Sequence, residues 1–490
     1  MMEMKRTLYA VLAALALAAC APEERNAVAD GKLPDIYPDY VGVTIPVGIA
    51  PLDFSLRGAE AVSVQLAAPD GTVLRSTGKG ATRFPARRWA QLVAGSAGDS
   101  LTVTVSGRFD GQWRRFAPFG IYVSPDAIDY GLAYRMLEPG YEIYSFMGIY
   151  ERELGSFRQR ALLENTQFDG CVNCHAFNRG DPAAMSLHIR GAHGATLLAR
   201  DGALTAFNTK TDSTLGSCVY PYWHPAGRYI AYSTNSTRQS FHVQPDKLIE
   251  VFDLASDVQI YDTQANEVIT APQLKQPDVW ETFPAFSPDG RTLYYTAAVR
   301  VDIPDGLPQS RYNLMKVSFD PETGTIGRDV EMLIDAFALS KSVCFPRPSY
   351  DGRYLMYTLC DYGTFPIWHH ESDLWLLDLQ TGETRPVDGA NSADTDSYHS
   401  WSSNSRWIVF SSRRDDGLFT RLYIAHIDAD GVAGKPFMLP QRDPQQYYAD
   451  LFRSYNVPEF ITGPVRFDRI RAQKVINSPE RVQFGFRWSD

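Results

Sequence analysis

The chain has 490 residues, of which 44% are hydrophobic, and a formal net charge of -10. That length supports two or three domains with full hydrophobic cores, and an acidic balance without a clustered Lys/Arg stripe argues against nucleic acid as a partner. Six cysteines in so long a chain do not make a disulfide-stapled scaffold.

Lys5-Arg6, an apolar run over 8–19 and small residues ahead of Cys20 form the pattern of a cleaved export signal covering 1–19. The run is too short to remain as a membrane-spanning helix. Leu17-Ala18-Ala19-Cys20 resembles a bacterial lipobox, which makes Cys20 the expected lipidation site and the membrane an expected partner through that anchor. Residues 20–36 are polar and read as the lipidated tether. Across 37–123 come alternating runs such as Ala61-Val62-Ser63-Val64-Gln65-Leu66 and Leu101-Thr102-Val103-Thr104-Val105, broken by turns such as Pro69-Asp70-Gly71. Period-two alternation with short turns predicts a β-sandwich of immunoglobulin-like size.

Residues 124–194 read as a connector rich in tyrosine (Tyr130, Tyr134, Tyr141, Tyr144, Tyr150) that carries Cys171-Val172-Asn173-Cys174-His175. Cys-x-x-Cys-His is the attachment motif of c-type haem. Cys171 and Cys174 are therefore the expected thioether positions, and His175 the expected axial ligand of one covalent haem c. Zinc needs two further ligands nearby, and a thioredoxin-type dithiol needs a βαβ surround that the flanking alternation does not offer. For the opposite axial position Met185 and His188 are the candidates, with His193 behind them and an open iron as the remaining alternative. A structural reading stands beside each: Met185 as core filler, the histidines as strand or loop residues. The segment is too short for a cytochrome domain, so its haem has to borrow a pocket from the sandwich, the connector or the propeller described next.

An internal repeat organises 195–490. Segments 219–233, 282–296, 344–358 and 397–411 align without gaps, with an aromatic second residue (Tyr220, Phe283, Phe345, Tyr398) and an arginine at one column (Arg228, Arg291, Arg353, Arg406). Each arginine is followed by an apolar strand, for example Tyr354-Leu355-Met356-Tyr357. Strand, turn, strand at this spacing predicts propeller blades. The count is five, with the hairpin at 196–208 completed by a strand near 457–467, and six is the alternative.

Trp368-His369-His370-Glu371 looks like a ligand cluster, but neighbouring strand residues face opposite ways. His224 and His399 lie near repeated hairpins and read as structural, and Asp289 and Asp351 read as turn residues. Cys344 and Cys360 fall almost opposite across a predicted hairpin, as a disulfide or as two buried thiols. No Gly-x-Ser-x-Gly elbow occurs, so a hydrolase is not expected; a haem peroxidase stays open.

Units such as Phe286-Ser287-Pro288-Asp289-Gly290-Arg291 resemble the repeats of TolB-like β-propellers. More closely, the chain resembles a family of exported Bacteroidetes lipoproteins that join a β-sandwich, a Cys-x-x-Cys-His segment and a TolB-like propeller. The likeness is carried by Glu138-Pro139-Gly140-Tyr141, Met147-Gly148-Ile149-Tyr150, His188-Ile189-Arg190-Gly191, Tyr220-Pro221-Tyr222-Trp223-His224-Pro225, Phe365-Pro366-Ile367-Trp368-His369 and Ser411-Ser412-Arg413-Arg414-Asp415-Asp416-Gly417. It implies an envelope address and haem. Ala21 and Glu23-Glu24 place the anchor on the periplasmic side of the outer membrane or on the cell surface. Two functions follow as expectations: electron transfer or redox sensing with an envelope protein partner, and a TolB-like interaction scaffold whose haem is structural or absent.

Overall fold

The computed structural model describes residues 26–138, 145–168, 170–241 and 248–489. The expected signal over 1–19, the lipidation site Cys20, and Tyr141 and Tyr144 lie outside the described residues. The chain divides into two compact units. One takes residues up to 128 with 154–157 and 434–451, and the other takes 129–153, 158–433 and 452–490.

In the first unit, burial along Ala61–Ala67 alternates residue by residue, with Val62, Val64 and Leu66 each 1% exposed. A strand with one packed face and one wetter face gives that pattern. Ala61–Ala67 lies between Val73–Gly78 and Ser100–Phe109 in a seven-stranded sheet. Phe119–Ser124 pairs with Ser100–Phe109 and carries Thr44–Pro46 in parallel. Ile36–Tyr37 and Ser55–Leu56 form a separate two-stranded pairing. The sequence reading did not anticipate the helix Ala86–Ala94, which buries Trp89, Leu92 and Val93. Those positions repeat at three and four residues, the helical period, and the Trp89 indole donates to the Ile49 carbonyl at 2.9 Å.

Among the described residues the second unit is a six-bladed β-propeller. Its first blade runs outward from Ser454–Ile461 through Gly131–Leu137, Met147–Glu153 and Gln159–Glu164. The second runs through Cys171–Phe177, Ala184–Arg190, Ala195–Arg200 and Ala203–Asn208. Blades three to six start from the inner strands Cys218–Trp223, Val279–Phe286, Ser342–Pro348 and Asp396–Trp401. Ser454–Ile461 touches both Asp396–Trp401 and Cys171–Phe177, which closes the ring with a C-terminal strand. Further out, Val482–Gln483 adds in parallel to Ala203–Asn208, and Gly485–Trp488 adds to Glu267–Thr270.

The count of five is thus corrected to six. The C-terminal strand closes the ring as expected, but on Gly131–Leu137, whereas the 195–208 hairpin belongs to the blade that Cys171–Phe177 begins. Residues 124–194, read as a connector, supply strands to two blades. The miss has a physical reason: Val457 and Cys174 stand where the other inner strands carry an aromatic ring, and neither blade keeps the arginine column.

Each inner strand bulges at the same place. Cys174, Tyr220, Phe283, Phe345, Tyr398 and Val457 have φ of 46°, 49°, 51°, 52°, 49° and 49°, and the register to the neighbouring strand shifts there in every blade. Left-handed backbone costs a non-glycine residue roughly 1 kcal/mol or more. Six repetitions mark the bulge as a built feature of the fold. The aromatic residues at these bulges pack ring on ring about the axis, with centroids 4.8 Å apart for Tyr220 and Phe283, 4.1 Å for Phe283 and Phe345, and 4.9 Å for Phe345 and Tyr398. The repeated arginines tie turns to strand ends, as in the 2.7 Å pair of Arg228 with Asp262.

Candidate functional site

Beside this ring lies a cavity of about 360 Å³, lined by residues of the inner strands together with residues of the second and third strands and loops of the propeller. Cys174 and His175 line it, so the Cys-x-x-Cys-His segment reaches the centre of the propeller from the first strand of the second blade. The walls include Phe345, Phe365, Ile367, Trp368 and Tyr398, and the polar lining includes Arg135, Arg190, Arg347, Arg413, Glu138 and Glu459. Aromatic walls with converging charged groups make a pocket of mixed polarity that can orient a small molecule.

His175 is 2% exposed, and neither ring nitrogen meets a partner at hydrogen-bonding geometry. Burial lowers its pKa to about 3, the Arg135 charge adds to that, and the Ala133 carbonyl opposes it. The imidazole is therefore neutral at ordinary pH, as a metal ligand has to be. Cys174 and Cys171 are both half-buried, and Cys174 lies close enough to Tyr220 and Tyr398 to raise their phenol pKa values further. Asn173 accepts a 2.6 Å hydrogen bond from Arg135, and the Val172 amide donates to the Met147 sulfur at 3.1 Å.

The structure does not bring every expected residue to the cavity. Met185 is opposite Phe177 and His188 opposite Asn173 on the adjacent strand, and neither is among the cavity-lining residues. Met185, 2% exposed, packs in the core around Val172, Phe177 and Leu187. His188 is buried, with its pKa lowered to about 3 by burial and then by Arg190, and its Nδ1 lies 3.2 Å from the Thr196 hydroxyl. His193 sits half-buried in the following turn, where its carbonyl accepts from Arg481.

Other lining residues were not singled out as a site in the sequence. His399 follows Tyr398 in the repeat, where four other blades carry Pro221, Pro284, Pro346 and Pro458; the column was legible and the exception to it was the signal. It is 3% exposed with both ring nitrogens lacking hydrogen-bond partners, and burial lowers its pKa to about 3. Arg413 is 4% exposed, its guanidinium lies 3.0 Å from the Trp368 ring centroid, and burial lowers its pKa to about 9. Glu459 accepts from the Phe177 amide at 2.9 Å, and burial raises its pKa to about 7.

The Trp368-His369-His370-Glu371 segment splits by direction. Trp368 lines the cavity, His369 turns to Glu250 at 3.1 Å, and His370 pairs with Asp394 at 2.8 Å near the surface. Among the described residues no group of three or more His, Cys, Asp or Glu side chains is placed to hold a metal ion.

No protein-family model matches the chain, and no curated protein matches it. Among solved structures, a DUF4784 family protein from Bacteroides caccae aligns at TM-score 0.29 and 7% identity, over 72% of this chain and 94% of that one. Prolyl oligopeptidase B from Galerina marginata aligns at TM-score 0.32 and 9% identity, over 69% of this chain and 42% of that one. A protein described as a dipeptidyl aminopeptidase IV from Bacteroides ovatus aligns at TM-score 0.28 and 10% identity, over 64% of this chain, which spans 59% of that protein's length. The blade count rests on the strand pairing described above.

Proposed function

We propose that the chain is a haem c protein of the bacterial cell envelope that transfers electrons or senses redox state, with its haem at the axial cavity of the propeller. One observation carries the reading: the imidazole of His175, buried and neutral, opens with Cys174 onto an aromatic-walled cavity. The lining fits the group chemically. Cys174 and His175 open on the cavity, and Cys171, which does not line it, would supply the second thioether from the start of the same strand; the aromatic walls suit a porphyrin face, and the four arginines suit its propionates. Bound there, haem supplies a one-electron iron centre. Of the distal candidates from sequence, Met185 and His188, neither lines the cavity, whereas His399 does.

The remainder of the proposal rests on sequence. Cys20 carries the lipid that holds the protein to the membrane, residues 37–123 are an immunoglobulin-like sandwich by their alternation, and the propeller is TolB-like by its repeats. Such a propeller offers a docking platform to an envelope protein partner.

Full-length chain with its own signal is co-expressed with a c-type maturation system, and the peptide containing residues 171–175 is weighed after proteolysis. One haem joined through two thioethers is expected. Unmodified cysteines overturn the haem reading. In that event the second reading, an interaction scaffold, takes its place, and one observation already favours it: Cys174 occupies a bulge that the other five blades build with Tyr220, Phe283, Phe345, Tyr398 or Val457, side chains that attach no haem.

A further inference from the structure

Cys344 and Cys360 in the fifth blade are two buried free thiols, at diagonal rather than opposite positions of their hairpin. They share a core cluster with Trp368, and over the Trp368 ring lies the guanidinium of Arg413, 3.0 Å from its centroid. The sixth blade sets three arginines close together in sequence, and two of them are paired. Arg414 meets Asp396 at 2.6 Å, and Arg421 meets Asp416 at 3.4 Å. Arg413, 4% exposed, meets no carboxylate at ion-pair distance among the described residues, and its Nε has no hydrogen-bond partner. Asp394 and Asp416, whose charges act on it, are held by His370 at 2.8 Å and by Arg421. An indole face stabilises a cation but offers no acceptor to its five N–H groups. A buried charge in that state is costly until an anion meets it.

Arg413 opens on the axial cavity, with Arg135, Arg190 and Arg347. None of the four is ion-paired among the described residues: Arg135 donates to the Asn173 side chain at 2.6 Å, and Arg347 donates to the Pro346 carbonyl at 3.0 Å. Glu138 and Glu459 are the carboxylates of the lining, so four positive charges face two negative ones. That local excess of two stands in a chain whose net charge is -10. Phe345, Trp368 and Tyr398 add flat apolar walls. Solvent reaches the cavity where Arg190 and Thr237 line it, since both are exposed. The second blade stands opposite the fifth in a six-bladed ring, which puts the wall of Trp368 and Arg413 across the axis from Cys174 and His175.

A guanidinium without an acceptor selects a carboxylate, whose two oxygens match its fork. The aromatic walls select a flat body for that carboxylate, and the excess of two charges selects a second one. About 360 Å³ lies at the small end of ligand pockets and suits a single ring. We propose that the axial cavity binds a free aromatic dicarboxylate, with Arg413 as the anchor of one carboxylate. The inference shares its cavity with the haem reading and does not need the haem.

Full-length chain is purified without a maturation system, so that Cys171 and Cys174 are unmodified and the result is independent of haem attachment. Phthalate and its uncharged isostere phthalamide are titrated separately by calorimetry at constant ionic strength. Phthalate is expected to bind at about one per chain and at least about tenfold more tightly than phthalamide, because only the carboxylate satisfies Arg413. Arg413→Gln is expected to lose at least about tenfold in phthalate affinity with phthalamide unchanged. The wild-type comparison decides the matter even where that variant fails to fold. No phthalate binding, equal affinity for phthalate and phthalamide, or sulfate binding as tightly as phthalate overturns the proposal. An unchanged phthalate affinity in folded Arg413→Gln overturns the role of Arg413.

Discussion

Cys174 in the second blade and Phe345 in the fifth hold the same backbone conformation, φ 46° and 52°, at the same bulge of their inner strands. Phe345 spends that position on packing, its ring tilted against those of Phe283 and Tyr398. Cys174 leaves a smaller side chain there and borders open volume on the axis. The sulfur comes from this one departure from the repeat, and the space from two, because Val457 also replaces a ring at its bulge and lines the cavity.

Phe345→Ala is expected to destabilise the propeller by about 3–5 kcal/mol, the range for removing a buried phenylalanine ring. Cys174→Ala deletes one atom at the equivalent bulge and is expected to cost less than about 1.5 kcal/mol. Denaturant melts of the two variants beside the wild type check the contrast. Equal costs contradict the division between packing and site.

The histidine after Cys174 separates fold from site. The same column holds Pro221, Pro284, Pro346 and Pro458 in other blades, so His175→Pro is expected to keep the wild-type circular dichroism and to melt within a few degrees of it. If haem is attached, the same variant loses the low-spin absorption that an axial imidazole gives. Collapse of the fold shows that the column is not interchangeable.

How much of this was legible in the sequence depended on the repeat. Tyr220, Phe283, Phe345 and Tyr398 revealed four blades because an aromatic residue and a following arginine recur together. The first and second blades were hidden because Val457 and Cys174 replace the ring, and because the first blade joins strands more than 300 residues apart, such as Leu132 with Phe460. The motif at 171–175 was plain, but its pocket was not: Arg135, Arg413 and Glu459 meet only after the ring has closed. The Ala86–Ala94 helix was hidden among strands, although Trp89, Leu92 and Val93 carry its period.

Ring closure predicts a strong dependence on the C-terminal strand. Removing residues 454–490 leaves Gly131–Leu137 without its inner neighbour and takes one sixth of the inner ring. The shortened chain is expected to lose the single cooperative unfolding transition of the propeller. An unchanged melting curve contradicts closure by Ser454–Ile461.

Glu281 gives the fold a pH dependence of known sign. It is 0% exposed, one carboxylate oxygen lacks a partner, and burial raises its pKa to about 8 against the weaker pull of the Gln276 amide. Between about pH 4.5 and 8 the unfolded chain releases this proton while the folded chain keeps it, so the folded state binds more protons and loses stability as pH rises. The loss is on the order of 3–5 kcal/mol over that window. Glu281→Gln is expected to gain stability over the wild type as pH rises from 5 to 8, read from urea midpoints at each pH. A constant difference between the two proteins contradicts the assignment.

The central claim is that Cys171, Cys174 and His175 hold haem at the axis of the propeller. The pyridine haemochrome spectrum of full-length protein, purified after co-expression with a c-type maturation system, tests it most directly. A c-type α-band at one haem per chain is expected, abolished in the Cys171→Ala/Cys174→Ala double variant. A protein that folds and melts as a propeller but shows no c-type band contradicts it.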